Sequence, residues 1–403
     1  MRLALFLAVF ALAGCATLPS NLESGPAQAA VAFDLNGERG SWAQGLADPS
    51  TGRAVTIDDP VRIASVSKLV VAIGVMRLVD QGRIDLDRDV SDYLGWKLRN
   101  PAFPDRPVTV RQLLSHTSSL RDGDDAYVVP LGSSLRQALA DPSVWDQAHG
   151  PGEGYFAYAN FNFPVIASVM EMATGERFDL LMKRLVLGPM NLDACFNWPT
   201  CSDAAVGRAV VMMQDGKAVR DDLGGKRPQC PVFVKEGDSC DLNRWRLGDN
   251  GALFSPQGGL RISARDLARI GRLLLGQGTV DGVTILSAKS VETILTPAWR
   301  FDGSNGSRGG ESEGVCSYGL ATRQLATISA CADDPEGRGR QWVGHAGDAY
   351  GLRSGLWIDR ERGVGIAYFV TGLTTVPARG KSSFTAAEEG TFRRAARLLR
   401  GEH

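Results

Sequence analysis

Apolar and polar residues alternate through "VAFDLNGERGSWAQGLAD", residues 31–48, around Asn36-Gly37. This pattern predicts two strands joined by a tight turn, because successive strand residues face opposite sides and Asn-Gly tolerates left-handed backbone. From Ser65 to Asp80 the chain is apolar nearly all round, which predicts a helix buried on every side and stopped at Gly82. Thr109 and Gln112 have capping-box spacing ahead of a short helix. Helical periodicity returns from Phe163 to Ala173, ending at Gly175, and again over Leu180–Leu187. Ser263 caps the amphipathic "SARDLARIGRLLL", with Asp266 in its first turn. The strings "QWVGHAG", "LRSGLWID" and "GVGIAYFVTG" read as strands, and Phe384–Arg400 as a closing helix. Strands at both ends with helices between them predict an α+β fold. An antiparallel sheet is assembled from the two termini and flanked by helices, with a mostly helical insertion at about 97–250. Within it, residues 195–250 lack periodicity and predict an irregular excursion.

The first residues change this picture. Met1-Arg2 is followed by the apolar run Leu3–Ala13, too short to span a bilayer, and then Gly14-Cys15. The segment resembles a bacterial lipobox, which implies cleavage before Cys15, lipidation of that cysteine and a membrane anchor. Residues 16–29 then form a tether and 30–403 the folded domain. Ala16 after the cysteine implies an outer-membrane destination facing the periplasm. Six cysteines remain: Cys195, Cys201, Cys230, Cys240, Cys316 and Cys331. In an exported chain an even number suggests disulfides, and their closeness in three couples predicts pairing within each couple. No Cys/His spacing suits a metal, and no cofactor is expected. With 44 Lys+Arg against 45 Asp+Glu, charge gives no case for nucleic acid.

Ser65 and Lys68 are three residues apart, so they share a helix face at the mouth of the apolar segment. A serine there has outward-pointing backbone N–H groups around it, and its own amide can stabilise an oxyanion. Its hydroxyl needs a base, and a lysine whose pKa is lowered by burial can supply one. S-x-x-K alone is common by chance, and it equally describes a cap followed by a snorkelling lysine.

Four further strings accompany "RIASVSK": "LLSHTSSL", "PGEGYFAYAN", "GGLRISARDLARIGRLLL" and "GHAGDAYG". In this order the chain resembles the penicillin-recognising serine enzymes, specifically the class C β-lactamase branch with its esterase and D-aminopeptidase relatives, over roughly residues 30–400. The resemblance implies Ser65 as the acylated nucleophile and Lys68 as proton acceptor or electrostatic helper. It implies Tyr158 as proton shuttle, Asn160 as a substrate-amide contact, and His345 at the start of the third motif. The backbone N–H of Asp348, after Gly347, would be the second oxyanion donor beside that of Ser65. Whether Lys68 or Tyr158 is the acylation base stays open at this level.

Position 345 is histidine where the β-lactamases carry lysine, and a neutral imidazole anchors a carboxylate poorly. This favours an esterase or D-amino-acid peptidase or amidase, acting on small ester, amide or peptide substrates, over a β-lactamase. If His345 touches substrate or the proton relay, activity should titrate near neutral pH. Ser119 and Val61 depart from the family's usual glycine and aromatic, and both read as packing changes. His116 reads as structural, His149 and His403 as solvated, and Asp122, Asp124 and Asp125 as a solvated loop. Trp96, Trp145, Trp198 and Trp342 read as packing anchors. The absence of G-x-S-x-G disfavours an α/β-hydrolase. A peptide-binding protein without turnover would have no chemical need of Lys68 or Tyr158.

Overall fold

The structure is a computed structural model that describes residues 25–401; the leader, Cys15, most of the tether and His403 lie outside it. The first hairpin forms as the alternation predicts, from β1 (Gln28–Asp34) and β2 (Gly37–Gln44). Among the described residues the longer helices that follow are α1 (Val66–Asp80), α2 (Asn162–Thr174) and α3 (Ala264–Leu275), with shorter ones between them. The chain then lays down β3 (Trp299–Arg300), β4 (Ser317–Tyr318), β5 (Arg323–Gln324), β6 (Val343–Ala349), β7 (Leu352–Asp359) and β8 (Val364–Val370). It ends in α4 (Ala386–Leu398). Among the described residues these strands make one antiparallel sheet in the order β3-β4-β5-β6-β7-β8-β1-β2. The first strand thus closes against the last, with Gln28 opposite Val370 and Asp34 opposite Val364. The α+β architecture built from both chain ends is the one the sequence implies.

The sheet is covered on both faces, and its period of two assigns residues to each. Ala29, Val31 and Phe33 of β1 enter the larger core with α1 and α3. Ala30 and Ala32 face the smaller core with Trp342, Trp357 and Phe392, beneath α4. The strand is therefore apolar at every buried position, and polar residues collect on the edge strand β2. α1 runs through the larger core, and only Arg77, Val79 and Asp80 along it reach the surface. The Thr109–Gln112 capping box closes as predicted, and Gly175 ends α2 in the left-handed conformation.

Between residues 97 and 250 α2 is the one long helix among the described residues, and the rest is short turns of helix, loops and short strands, among them the hairpin Met212–Gln214 with Lys217–Arg220. The excursion at 195–250 is irregular, as its lack of periodicity predicts. Disulfides pin it at Cys195–Cys201 and Cys230–Cys240, and a third joins Cys316 to Cys331. Its inner edge is held by the buried pair Arg261–Asp221 at 2.8 Å. Among the described residues no helix is long and apolar enough to cross a membrane.

α3 lies on the sheet so closely that a Cβ at Gly271 would stand 2.2 Å from Phe33 Cζ and 2.9 Å from Leu356 Cδ1. Gly271→Ala gains about 1 kcal/mol of helix propensity, but overpacking costs roughly 1–3 kcal/mol. The expected net loss is about 0–2 kcal/mol in urea denaturation, and a clearly more stable variant would contradict this packing.

Candidate active site

A β-bridge and a helix mouth bring the site together. The two-residue strand Val61–Arg62 pairs with Leu260–Ile262, and the chain then turns through Ala64 at φ 46° into α1. Ser65 sits at the helix N-cap position with φ −65°, and its side chain caps nothing. Its hydroxyl is free for other partners because the turn at Ala64 has already redirected the backbone. Lys68, one turn later, is fully buried.

The amine of Lys68 has three neighbours: Ser65 Oγ at 2.9 Å, Asn160 Oδ1 at 2.7 Å and the Gln257 carbonyl at 2.9 Å. A neutral amine has two N–H donors and one lone pair. The two acceptors with no proton to give, Asn160 Oδ1 and Gln257 O, take the donors, which leaves the lone pair for the Ser65 hydroxyl. A charged amine donates to all three. Both protonation states therefore fit one heavy-atom arrangement. Burial lowers the Lys68 pKa to about 8, with Glu311 and Asp122 pulling it back upward.

Tyr158 lies beside this pair, with its ring centroid 4.9 Å from Lys68 Nζ. Burial raises its phenol well above the ordinary value, Tyr318 and Glu311 add to the rise, and a hydrogen bond with Ser65 opposes it. The phenol therefore stays protonated at neutral pH. His116, at φ 55°, stacks on Tyr158 with centroids 4.2 Å apart. Its Nδ1 accepts from Ala159 N at 3.1 Å and Asn162 Nδ2 at 3.0 Å, so Nε2 carries the proton. His116 is structural, as expected, and what it shapes is the Tyr158-Ala159-Asn160 segment.

Asn160 connects Lys68 to an acidic pair, Asp122 and Glu311, of which the sequence singled out only Asp122. Its amide NH2 donates to Asp122 Oδ2 at 3.0 Å and Glu311 Oε1 at 3.3 Å. Asp122 also accepts from Phe161 N at 2.9 Å, which fixes the entry to α2. The solvated-loop reading is thus corrected for Asp122 and holds for Asp124 and Asp125, which are exposed. Glu311 rides on a loop whose Ser312 Oγ accepts from Tyr158 N at 3.0 Å.

On the opposite wall β6 carries His345, Gly347 and Asp348. A Cβ on Gly347 would stand 2.3 Å from Ile63 O, 2.3 Å from Ser354 Oγ and 3.2 Å from Ser65 N, so only glycine lets this strand pass the helix mouth. Asp348 follows it and lines the cavities on both sides of Ser65, with its carboxylate paired to Arg353. His345 is buried; its Nδ1–H donates to Ala346 O at 2.6 Å, so Nε2 accepts from Tyr318 OH at 2.8 Å. Burial and the Lys68 charge lower its pKa to about 3. The expected titration near neutral pH is therefore corrected: this imidazole is neutral throughout that range.

Ser65 is shared by two cavities. One, of about 220 Å³, takes in Tyr158, Tyr318, His345 and Glu388. The other, of about 610 Å³, takes in Asn160, Gln257, Trp198, Tyr350 and Arg62, and the 195–250 excursion forms one of its walls. Ser119, read as a packing change, is a backbone matter instead. It holds φ 68°, a conformation that favours glycine, and its hydroxyl accepts from Asn100 Nδ2 at 3.1 Å.

The chain belongs to the β-lactamase family, whose model matches residues 22–389. It is similar to penicillin-binding protein 4 of Amycolatopsis lactamdurans, 28% identical over 263 residues, which are 65% of this chain and 63% of that one. It is similar also to esterase EstB of Burkholderia gladioli, 29% identical over 249 residues, 56% of this chain and 60% of that one. The chain thus matches somewhat under two thirds of the length of these curated relatives. Among solved structures, a class C β-lactamase from Rhodobacter sphaeroides superposes with TM-score 0.65 at 15% identity, covering 94% of each chain. D-amino acid amidase from Ochrobactrum anthropi SV3 gives 0.64 at 18% identity, again covering 94% of each. At these identities the likeness is one of fold, the β-lactamase/transpeptidase-like α+β fold.

If neutral Lys68 takes the Ser65 proton, the reactive fraction grows as that amine loses its own proton. The rate constant kcat/KM should rise close to tenfold per pH unit below about pH 8 and level off above it. No inflection should come from His345 between pH 5 and 7. A pH–rate profile that bends near pH 6 and is lost in His345→Gln would contradict the geometry.

Proposed function

We propose that the protein is a serine hydrolase that cleaves an ester or amide bond through an acyl-enzyme on Ser65, of the carboxylesterase or D-amino-acid amidase type. The observation that carries this reading is the buried Lys68 amine, whose lone pair has one partner able to give it a proton, the Ser65 hydroxyl. In the reaction Ser65 Oγ attacks the substrate carbonyl while its proton passes to Lys68. The amides of Ser65 and Asp348 receive the oxyanion. Tyr158, protonated and beside Lys68, hands a proton to the leaving oxygen or nitrogen as that bond breaks. The proton held by Lys68 then passes to Tyr158, restoring both groups; water attacks the ester on Ser65, its proton is relayed by these groups to the departing Ser65 Oγ, and the acid is released. Because burial keeps the Tyr158 phenol protonated at neutral pH, its phenolate is too scarce to accept the Ser65 proton, which supports Lys68 as the acylation base.

Two features disfavour β-lactam turnover. His345 is neutral and engaged with Tyr318, so it offers no fixed charge to an antibiotic carboxylate. Asp122 and Glu311 place negative charge next to Asn160 and Lys68, which repels a carboxylate there and suits an ammonium or a neutral acyl group. An esterase and a D-amino acid amidase stand among the proteins this chain is similar to, which supports cleavage of an ester or amide. We propose further that Cys15 is lipidated and holds the protein at the outer membrane. Cys15→Ala should then move it from the membrane pellet to the soluble periplasmic fraction.

Intact mass after exposure to a fluorophosphonate tests the nucleophile. A single adduct is expected on the protein and none on Ser65→Ala, which should still fold although Lys68 loses one of its three partners. Lys68→Ala should slow labelling by about 10²–10⁴-fold, the usual worth of a positioned base. Labelling that survives in Ser65→Ala would reassign the nucleophile.

A further inference from the structure

The larger cavity contains a buried guanidinium that no carboxylate among the described residues touches, Asp221 acting on it only at a distance. Arg62 is buried, 9% exposed, yet its guanidinium makes no hydrogen bond and no ion pair among the described residues. Its cross-strand neighbour Arg261 differs completely. Arg261 has both Asp221 oxygens at 3.2 and 2.8 Å, the Asn197 side-chain oxygen, and Gly259 O at 2.8 Å. Asp221 is taken up further by Trp198 Nε1 at 2.9 Å. Arg62 is left with the face of Tyr350, 5.2 Å from its guanidinium carbon. Arg220 covers that ring at 4.9 Å and donates to the Tyr350 hydroxyl at 3.1 Å. Three guanidiniums therefore share the inner wall with one fully engaged carboxylate. A buried guanidinium without an anion is costly, and it is expected where a ligand supplies the partner.

The other charges of this cavity lie elsewhere. Asp125 and Asp222 are exposed, Asp348 is paired with Arg353, and Glu311 stands at the Lys68 end. Gln257 adds a second unanswered group, a buried side-chain oxygen with no donor among the described residues. Tyr158 lines only the smaller cavity and Asn160 only the larger, while Ser65 opens into both. Since Tyr158 is the proton donor to the leaving group, the smaller cavity takes the leaving group and the larger one the acyl group.

We propose that the larger cavity binds acyl groups bearing a carboxylate, which docks on Arg62 with Arg220 beside it, so that the preferred substrates are half-esters or half-amides of diacids. This rests on the serine-hydrolase reading. The acid enters as carboxylate and leaves unchanged, so the acylation and deacylation steps keep their balance. An exposed apolar lip at Val128 and Phe233 borders the same cavity and suits the methylene chain between the two carbonyls.

The test compares the 4-nitrophenyl half-esters of glutaric, adipic and suberic acid with the same esters capped as methyl esters, each corrected for its hydroxide rate. The protein should prefer the free acid at the best-fitting length at least tenfold in kcat/KM, as a charge-assisted contact implies. That preference should collapse toward one in Arg62→Gln and fall in Arg220→Gln, a change on an exposed strand. Equal rates for free and capped esters at all three lengths, or a preference that survives in both variants, would overturn the proposal. If Arg62→Gln does not fold, Arg220→Gln decides. Failure to release nitrophenol from any ester would count against the hydrolase reading alone. Calorimetry of suberic acid monoamide on Ser65→Ala, with and without Arg62→Gln, then judges the carboxylate site. Binding weakened at least tenfold by Arg62→Gln supports it, and no binding to Ser65→Ala overturns it.

Discussion

A lysine amine sealed from water has to find its hydrogen bonds inside the protein, and everything else about this site follows from how Lys68 finds them. Its partners come from three remote parts of the chain: the helix mouth at 65, the α2 entry at 160 and the loop at 257. Losing one would leave a buried donor or lone pair unanswered, at a cost of roughly 1–3 kcal/mol. The same contacts that hold the helix, the insertion and the loop together therefore fix the Ser65 hydroxyl against the Lys68 amine. Because the neutral and charged amine use one set of heavy-atom positions, a proton can arrive or leave without reorganising the wall. That is the preorganisation acyl transfer needs.

The sheet supplies the second constraint. β1 zips onto β8, so the two chain ends close a single sheet and β6 is placed inside it rather than at an edge. From there Gly347 passes Ser65, and Ser354 Oγ on the neighbouring strand donates to Ile63 O at 2.7 Å, two residues before Ser65. Strand and helix mouth thus meet through the bare backbone of Gly347 and one short side chain, which hold position better than long side chains. The nearly all-apolar character of α1 has the same purpose: a helix buried on every side cannot shift relative to the sheet.

Local signals made much of this legible. The Asn36-Gly37 hairpin, the capping box at Thr109 and the cap at Ser263 each depend on a few adjacent residues and formed as read. The disulfides were readable because each joins near neighbours in sequence. Ser65, Lys68, Tyr158, Asn160 and His345 were found through short strings, and the structure gathers them around one serine. What escaped is non-local. Asp122 looks like part of an acidic loop until the fold brings Asn160 to it, and Glu311 lies in a stretch with no periodicity at all. The pKa of His345 depends on burial and on a lysine far away in sequence, neither of which a three-residue motif encodes. Ser119 could have been suspected, since a position where relatives use glycine is often one with positive φ.

Charge sorts the two sides of Ser65 in a way that constrains what can react there. Near Lys68 the carboxylates of Asp122 and Glu311 keep the amine from being more depressed than it is, and they exclude anions from the reacting carbonyl. Elsewhere in the larger cavity the sign reverses at Arg62, Arg220 and Arg261, and Asp221 is in contact with only the last of these. An acyl group crossing both zones must be neutral or cationic near its carbonyl and can be anionic at its far end. Such a gradient selects orientation as well as identity, because a diacid half-ester bound backwards would put its carboxylate against Glu311. Discrimination of this kind needs no third-motif lysine. A site that recognises its acid on the acyl side has no use for a cation at position 345, and a neutral histidine held by Tyr318 can keep β6 in place without competing for the ligand.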